Sequence, residues 1–226
     1  MTFLREHILL ILLLLSAVVT FAWLLRFRTR LQMSWFAAAA LSLLHVCYGV
    51  FCVKAFAFLE SGAASDGFSQ MSIFGATFFM PLGYFLGAKL TKRKIADVFD
   101  IFTPCMLFTL ACSRVNCLVA GCCAGVPFFG TEWLWPTREI EIVFYLAFLA
   151  TFVPRVMKQK TTGEVYPLYM LSYGALRFLL EFARASEVER LFHLSHLWAA
   201  LSVLTGLAID LDQRARITRR KCTSMR

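Results

Sequence analysis

Apolar residues along this chain fall in blocks about as long as a membrane is thick, and charged residues collect in the gaps between them. A helix needs roughly 20 residues to cross a hydrocarbon core about 30 Å thick. Seven blocks meet that length, at about 7–25, 34–59, 71–90, 98–121, 136–153, 164–184 and 194–211. Each is expected to be a helix, because a lone segment inside lipid satisfies its backbone hydrogen bonds only that way. Pro81 and Gly83 should kink the third block. The glycine-bearing run GCCAGVPFFG, starting at Gly121, should turn the chain after the fourth. The expected fold class is all-α: a single polytopic membrane domain over 1–226, with seven transmembrane helices and a basic tail at 214–226.

Charge gives the blocks a direction. Three Lys or Arg lie in 26–30, four in 89–94, three in 155–160 and six in 214–226, sixteen of the 23 in the chain. On a seven-span path these four segments share one side, which the positive-inside rule makes cytoplasmic. The N-terminus is then outside and the C-terminus inside. The opposite loops carry Glu60, Asp66, Glu132, Glu187 and Glu189. A net charge of +9 could suggest nucleic acid, but this distribution accounts for it by membrane orientation, and no nucleic-acid partner is expected. The first block has Arg5 before it and Arg26, Arg28 and Arg30 after it, the reverse of a cleaved signal peptide, so it is read as a retained helix. Composition agrees: 59% of residues are hydrophobic and 16% charged.

Against that background the sixth block stands out. Its stretch YGALRFLLEFAR spaces Tyr173, Arg177, Glu181 and Arg184 by four, four and three, which places them on one stripe of a helix. An ionisable group at bilayer depth costs roughly 2.5 to 3.5 kcal/mol, so such groups face a protein interior or a watery cavity. Glu181 can pair with Arg177 or with Arg184 one turn away. That pairing leaves Arg114, in the outer half of the fourth block, and one sixth-block arginine without a carboxylate. An anionic ligand would supply the missing charge, and Arg is the residue suited to phosphate. A phospholipid head group from the outer leaflet is the candidate.

Other positions are open to two readings. WPTREIE sets Arg138, Glu139 and Glu141 at the outer interface, where a solvated helix start is the plain alternative. His45 and Tyr48 share a face of the second block as a packed pair or as site residues. Cys112, Cys117, Cys122 and Cys123 cluster around the fourth turn without a C-x-x-C pair or a nearby His, so no metal is expected and a disulfide stays open.

The segments SRVNCLVAGCCAG (113–125), WPTREIE (135–141) and YGALRFLLEFAR (173–184), with Tyr48-Gly49 before them, resemble in order and position the signature blocks of prolipoprotein diacylglyceryl transferase. The resemblance runs from about Tyr48 to the end of the seventh block. It implies a bacterial inner-membrane enzyme that moves a diacylglyceryl group from phosphatidylglycerol to the thiol of a lipobox cysteine on a preprotein, with no cofactor. By position it makes Arg114, Arg177 and Tyr173 catalytic and assigns substrate binding to Tyr48, Glu181, Arg184, Asn116, Gly121 and Glu141. The family's His-Gly-Gly block corresponds here to Ser72, Ile73, Phe74, Gly75 and Ala76, and its His-Pro start to Trp135-Pro136. A base would then be His45, His196 or no side chain at all. The alternative is a phospholipid-binding or partner-binding membrane protein that keeps the fold without the transfer.

Overall fold

The computed structural model describes residues 2–63, 67, 70–127, 131–184 and 194–224. Asp66, Glu187 and Glu189, counted above among the loop acids, lie outside the described residues. Among those described, seven α-helices follow one another: α1 (Thr2–Arg26), α2 (Trp35–Glu60), α3 (Ile73–Leu90), α4 (Ile95–Ala120), α5 (Thr137–Met157), α6 (Val165–Glu181) and α7 (Leu194–Ser224). The chain is therefore an all-helical, multi-pass membrane protein. Six of the helices are long and apolar enough to cross a membrane. The exception is α6, whose 17 residues reach about 26 Å at 1.5 Å per residue. Large apolar side chains face outward along these helices, including Val18, Leu82, Leu90 and Val143. In lipid such exposure has no cost, which explains why the bundle can leave them uncovered.

Local chemistry sets the helix limits. Ser34 caps α2 by accepting from the Ala37 amide at 3.1 Å. Gly121 ends α4 in the left-handed region at φ 74°, where a side chain would be strained. Helix α5 passes the expected stop at Val153 and holds Pro154 in its last turn. Helix α6 stops at Glu181 rather than Arg184. There the Ala183 carbonyl turns aside to accept from the Val126 amide at 2.8 Å, tying the end of α6 to the α4–α5 connection. Helix α7 runs on through most of the basic segment 214–226, to Ser224, supported by an Asp210–Arg214 pair one turn apart at 2.7 Å.

Helix α4 is the central element, packing against α1, α3, α5 and α6. Its residues Ile101, Met106 and Leu107 are fully buried, and the Trp23 indole donates to the Ile101 carbonyl at 2.8 Å. Helices α6 and α7 pack through glycines. A Cβ on Gly206 would lie 2.7 Å from both the Leu171 nitrogen and the Pro167 carbonyl oxygen, and one on Gly174 would lie 2.8 Å from the Ala199 carbonyl oxygen. Small residues allow such close approach where no hydrophobic force draws helices together. Gly206→Leu should therefore separate α6 from α7 and cost more than about 1–3 kcal/mol, the usual range for overpacking. Thermal unfolding in detergent would measure it.

The two ends of the bundle differ. At one end Arg30 pairs with Asp97, Arg93 with Gln32, and Gln213 donates to the Gly163 carbonyl. Asp100, fully buried in α4, accepts from the Gly163 amide at 2.7 Å and the Val165 amide at 3.4 Å, holding the start of α6. A lone carboxylate inside an apolar block is the signal in the sequence that marks Asp100. Asp100→Ala strands those donors and should cost about 1–3 kcal/mol in the same unfolding assay. The other end carries the site.

Candidate active site

Three helices deliver charged groups to one point. Helix α4 contributes Arg114 from its last two turns, α5 contributes Glu141 from its second turn, and α6 contributes Tyr173, Arg177 and Glu181 from one stripe. Glu141 is the common partner. Arg114 reaches it through Nε at 2.6 Å and through Nη2 at 3.2 Å. Arg177 donates to the same carboxylate at 3.1 Å, and the Tyr173 hydroxyl donates to it at 2.9 Å. Arg177 also spans to Glu181 at 3.0 Å, and Arg184 approaches Glu181 at 3.6 Å.

This geometry corrects two expectations. Glu141 does not begin a solvated helix, because it is only 1% exposed. Arg114 and Arg177 do not lack a carboxylate either, since both hold Glu141 at its Oε1. Sequence spacing missed the pairing because the partners lie 27 and 36 residues apart on different helices. Within the ion-paired cluster a surplus remains: three guanidinium groups, from Arg114, Arg177 and Arg184, face two carboxylates, while Glu60 lines the cavity beyond them. Arg177 Nε has no hydrogen-bond partner among the described residues. Phe74, from the segment that stands in place of His-Gly-Gly, lies with its ring centroid 5.8 Å from the Arg177 guanidinium carbon, a cation–π contact.

The cluster opens into a cavity of about 960 Å³. Arg114, Asn116, Arg177 and Arg184 line it, as do Ser72 and Ser113. Gly121 turns the chain just before Cys122, which lines it, and Tyr173 reaches it through Glu141. The other expected site residues lie elsewhere. His45 and Tyr48 line a separate cavity of about 580 Å³ between α2, α3 and α4. There His45 stacks on Tyr84 at 6.0 Å and meets its hydroxyl at 3.4 Å, while Tyr48 donates to the Phe79 carbonyl at 3.0 Å. His196 is buried on α7 between the rings of Phe178 and Phe182, at 5.2 and 4.5 Å. None of these places an imidazole among the groups that line the arginine cavity.

Three of the four cysteines clustered around the fourth turn come together as a group of thiols. The sulfurs of Cys117, Cys122 and Cys123 all lie within 4.8 Å of one another on the wall of the same cavity. The described cysteines are free thiols, so the disulfide left open above does not form. Cys112 is buried within α4, outside this group. The turn is held in place from α5: Thr137 donates its hydroxyl to the Cys123 carbonyl at 3.2 Å, and Arg138 donates to the Cys122 carbonyl at 3.1 Å. Hydrogen bonding with Cys117, aided by the Arg114 and Arg177 charges, holds the Cys123 thiol below the usual thiol range against the opposing effect of burial.

The family model described as prolipoprotein diacylglyceryl transferase matches residues 11–211. A phosphatidylglycerol–prolipoprotein diacylglyceryl transferase of Dehalococcoides mccartyi is 27% identical over 146 residues, covering 57% of this chain and 55% of the relative. The protein of that name from Clostridium tetani is 27% identical over 128 residues, covering 50% of this chain and 51% of its own length. A Clostridium perfringens protein named as the second such transferase is also 27% identical, over 132 residues, covering 50% of this chain and 49% of the relative. The chain thus spans about half the length of the curated relatives it matches.

Proposed function

The chain belongs to the prolipoprotein diacylglyceryl transferase family, and on that premise we propose that it transfers a diacylglyceryl group from phosphatidylglycerol to a lipobox cysteine thiol. One observation carries the reading: two guanidinium groups from different helices meet at one buried carboxylate beside an open cavity, with cationic charge left over. That surplus suits a phosphodiester. The glyceryl carbon loses its bond to phosphate oxygen as the acceptor sulfur bonds to it, and negative charge builds on the departing glycerol phosphate. Arg114 and Arg177 stabilise that charge, and Glu141 and Glu181 hold them in place so that no reorganisation is needed at the moment of reaction. Arg184 and Asn116 contact the head group from the wall. Tyr173 orients Glu141. Gly121 lets the turn approach the lipid, and the bilayer supplies orientation of the second reactant.

The same proposal sets all seven helices across a bacterial inner membrane, with the N-terminus outside and the C-terminus in the cytoplasm. In its favour, basic segments around Arg30, Arg93 and Gln213 meet at one end of the bundle, and the arginine cluster lies towards the other. The cavity then opens to the outer half of the membrane, where secreted preproteins emerge. The purified chain, given phosphatidylglycerol labelled in its glycerol head group and a lipobox peptide, should release labelled glycerol phosphate and lipidate the peptide. Arg114→Ala should reduce both products together by 100-fold or more, on the order of one lost transition-state donor. Binding of phosphatidylglycerol without any transfer by the unaltered chain would instead establish the non-catalytic alternative.

A further inference from the structure

We propose that Cys117, Cys122 and Cys123 form a three-thiolate site for a zinc-class metal ion, whose open fourth position takes the acceptor thiol as a thiolate. The binding half stands on the geometry alone; the acceptor half rests on the transferase reading above. Zinc bound to sulfur at about 2.3 Å in tetrahedral geometry places its ligand sulfurs about 3.8 Å apart. The three sulfurs here already converge to within 4.8 Å, so closing on an ion takes a shift of about an ångström or rotamer changes alone. The scaffold supports this. Cys117 sits in the last turn of α4, Gly121 reverses the chain at φ 74°, and Cys123 itself adopts φ 57°, which swings its side chain back towards Cys117. Two residues at the start of α5 hold the Cys122 and Cys123 carbonyls, which fixes the backbone that carries two of the thiols.

Three thiolates and a divalent cation leave one negative charge, on the wall of a cavity that Arg114, Arg177 and Arg184 also line. Three protein ligands with a free position are the pattern of a reactive rather than a structural zinc site. The free position answers the missing base. The segment Ser72 to Ala76 holds no histidine, and His45 and His196 stand outside the arginine cavity. A coordinating thiol is deprotonated outright by the ion. The acceptor sulfhydryl therefore binds the metal and releases its proton to water. Its sulfur then attacks the glyceryl carbon that bears phosphate, and the C–O electron pair leaves with the glycerol phosphate. The product is a thioether, a weaker ligand than a thiolate, so it leaves the metal and frees the site.

The test uses the full chain in detergent micelles, stripped with chelator and titrated anaerobically with Co²⁺. The expected result is one cobalt per chain with sulfur-to-cobalt charge-transfer absorption, displaced by Zn²⁺. Cys123→Ser and Cys117→Ser should weaken binding by at least about 100-fold, more than the loss of an outer-shell partner costs. Cys47→Ser, remote on α2, should bind like the unaltered chain. An unchanged thermal midpoint for metal-free Cys123→Ser separates loss of the ligand from loss of the fold. Adding a lipobox peptide should intensify the charge-transfer band as a fourth sulfur joins, and a peptide with Ser in place of Cys should leave it unchanged. Three thiols that titrate freely in the presence of Zn²⁺ would overturn the site. Undiminished transfer by stripped protein would overturn the acceptor role and leave the transferase reading standing. Cobalt binding with the expected spectrum, in a chain that transfers nothing under any metal, would retain the site and remove the reading it was joined to.

Discussion

Glu141→Gln should lower kcat for transfer by at least 100-fold while leaving the KM for phosphatidylglycerol within a few-fold of the unaltered value. The side chain keeps its shape and loses its charge, so the effect isolates electrostatics. With Glu141 neutral, Arg114 and Arg177 face each other at hydrogen-bond reach of the same atom. Two like charges roughly 5 Å apart repel by about 3 kcal/mol at an effective dielectric of 20. Breaking a buried ion pair on one side costs about 3–5 kcal/mol, and Arg114, Glu141 and Arg177 are all nearly fully buried. Part of this should show as a lower thermal midpoint, and the rest as arginines that swing away from the position where charge develops. The phosphate still finds two cations, which is why KM is expected to hold. A variant with wild-type kcat would mean that Glu141 does not position the arginines for the reaction.

The second large effect is at Arg177. Arg177→Lys preserves the charge and removes the planar fork that bridges Glu141 at 3.1 Å and Glu181 at 3.0 Å. A lysine ammonium is a point charge that can approach one carboxylate well, and it lacks the paired donors that match a phosphate. The expected loss in kcat/KM is about 10²- to 10³-fold, close to that of removing one preorganised donor, or roughly 3–4 kcal/mol. Unlike Glu141→Gln, this variant should raise KM as well as lower kcat, because the side chain is proposed to touch the substrate. Measuring both parameters for the two variants in one lipidation assay tells positioning from contact. Full activity in Arg177→Lys would show that net charge alone suffices and that fork geometry plays no part.

Much of this was legible beforehand. Block length and apolarity outlined all seven helices, and their limits moved where a particular contact decided: Ala183 turning towards Val126 shortened α6, and Asp210 with Arg214 supported the longer α7. The spacing of Tyr173, Arg177 and Glu181 marked one stripe of α6, and that stripe faces Glu141 or lies beside it. Glu141 was among the candidates, but its own neighbours made a solvated helix start equally reasonable. His45 and His196 were drawn in by residue type and Tyr48 by the resemblance of Tyr48-Gly49 to a family block, and the fold gives each of them a position away from the arginines.

By itself, the amino-acid order determined which segments are helices and that one face of the sixth is polar. Those properties follow from 3.6-residue periodicity and from the cost of charge in lipid, both of which act within one segment. It also placed Arg114 and Arg177 towards the closing turns of α4 and α6. Which faces meet was decided only by the tertiary structure. Burying Glu141 between Arg114 and Arg177, and bringing Cys117 back against Cys123, depend on rotation about the helix axes and on a turn held from α5. Those choices are set by packing between residues far apart in the chain, where glycines such as Gly206 let backbones touch. Local spacing carries no record of that rotation.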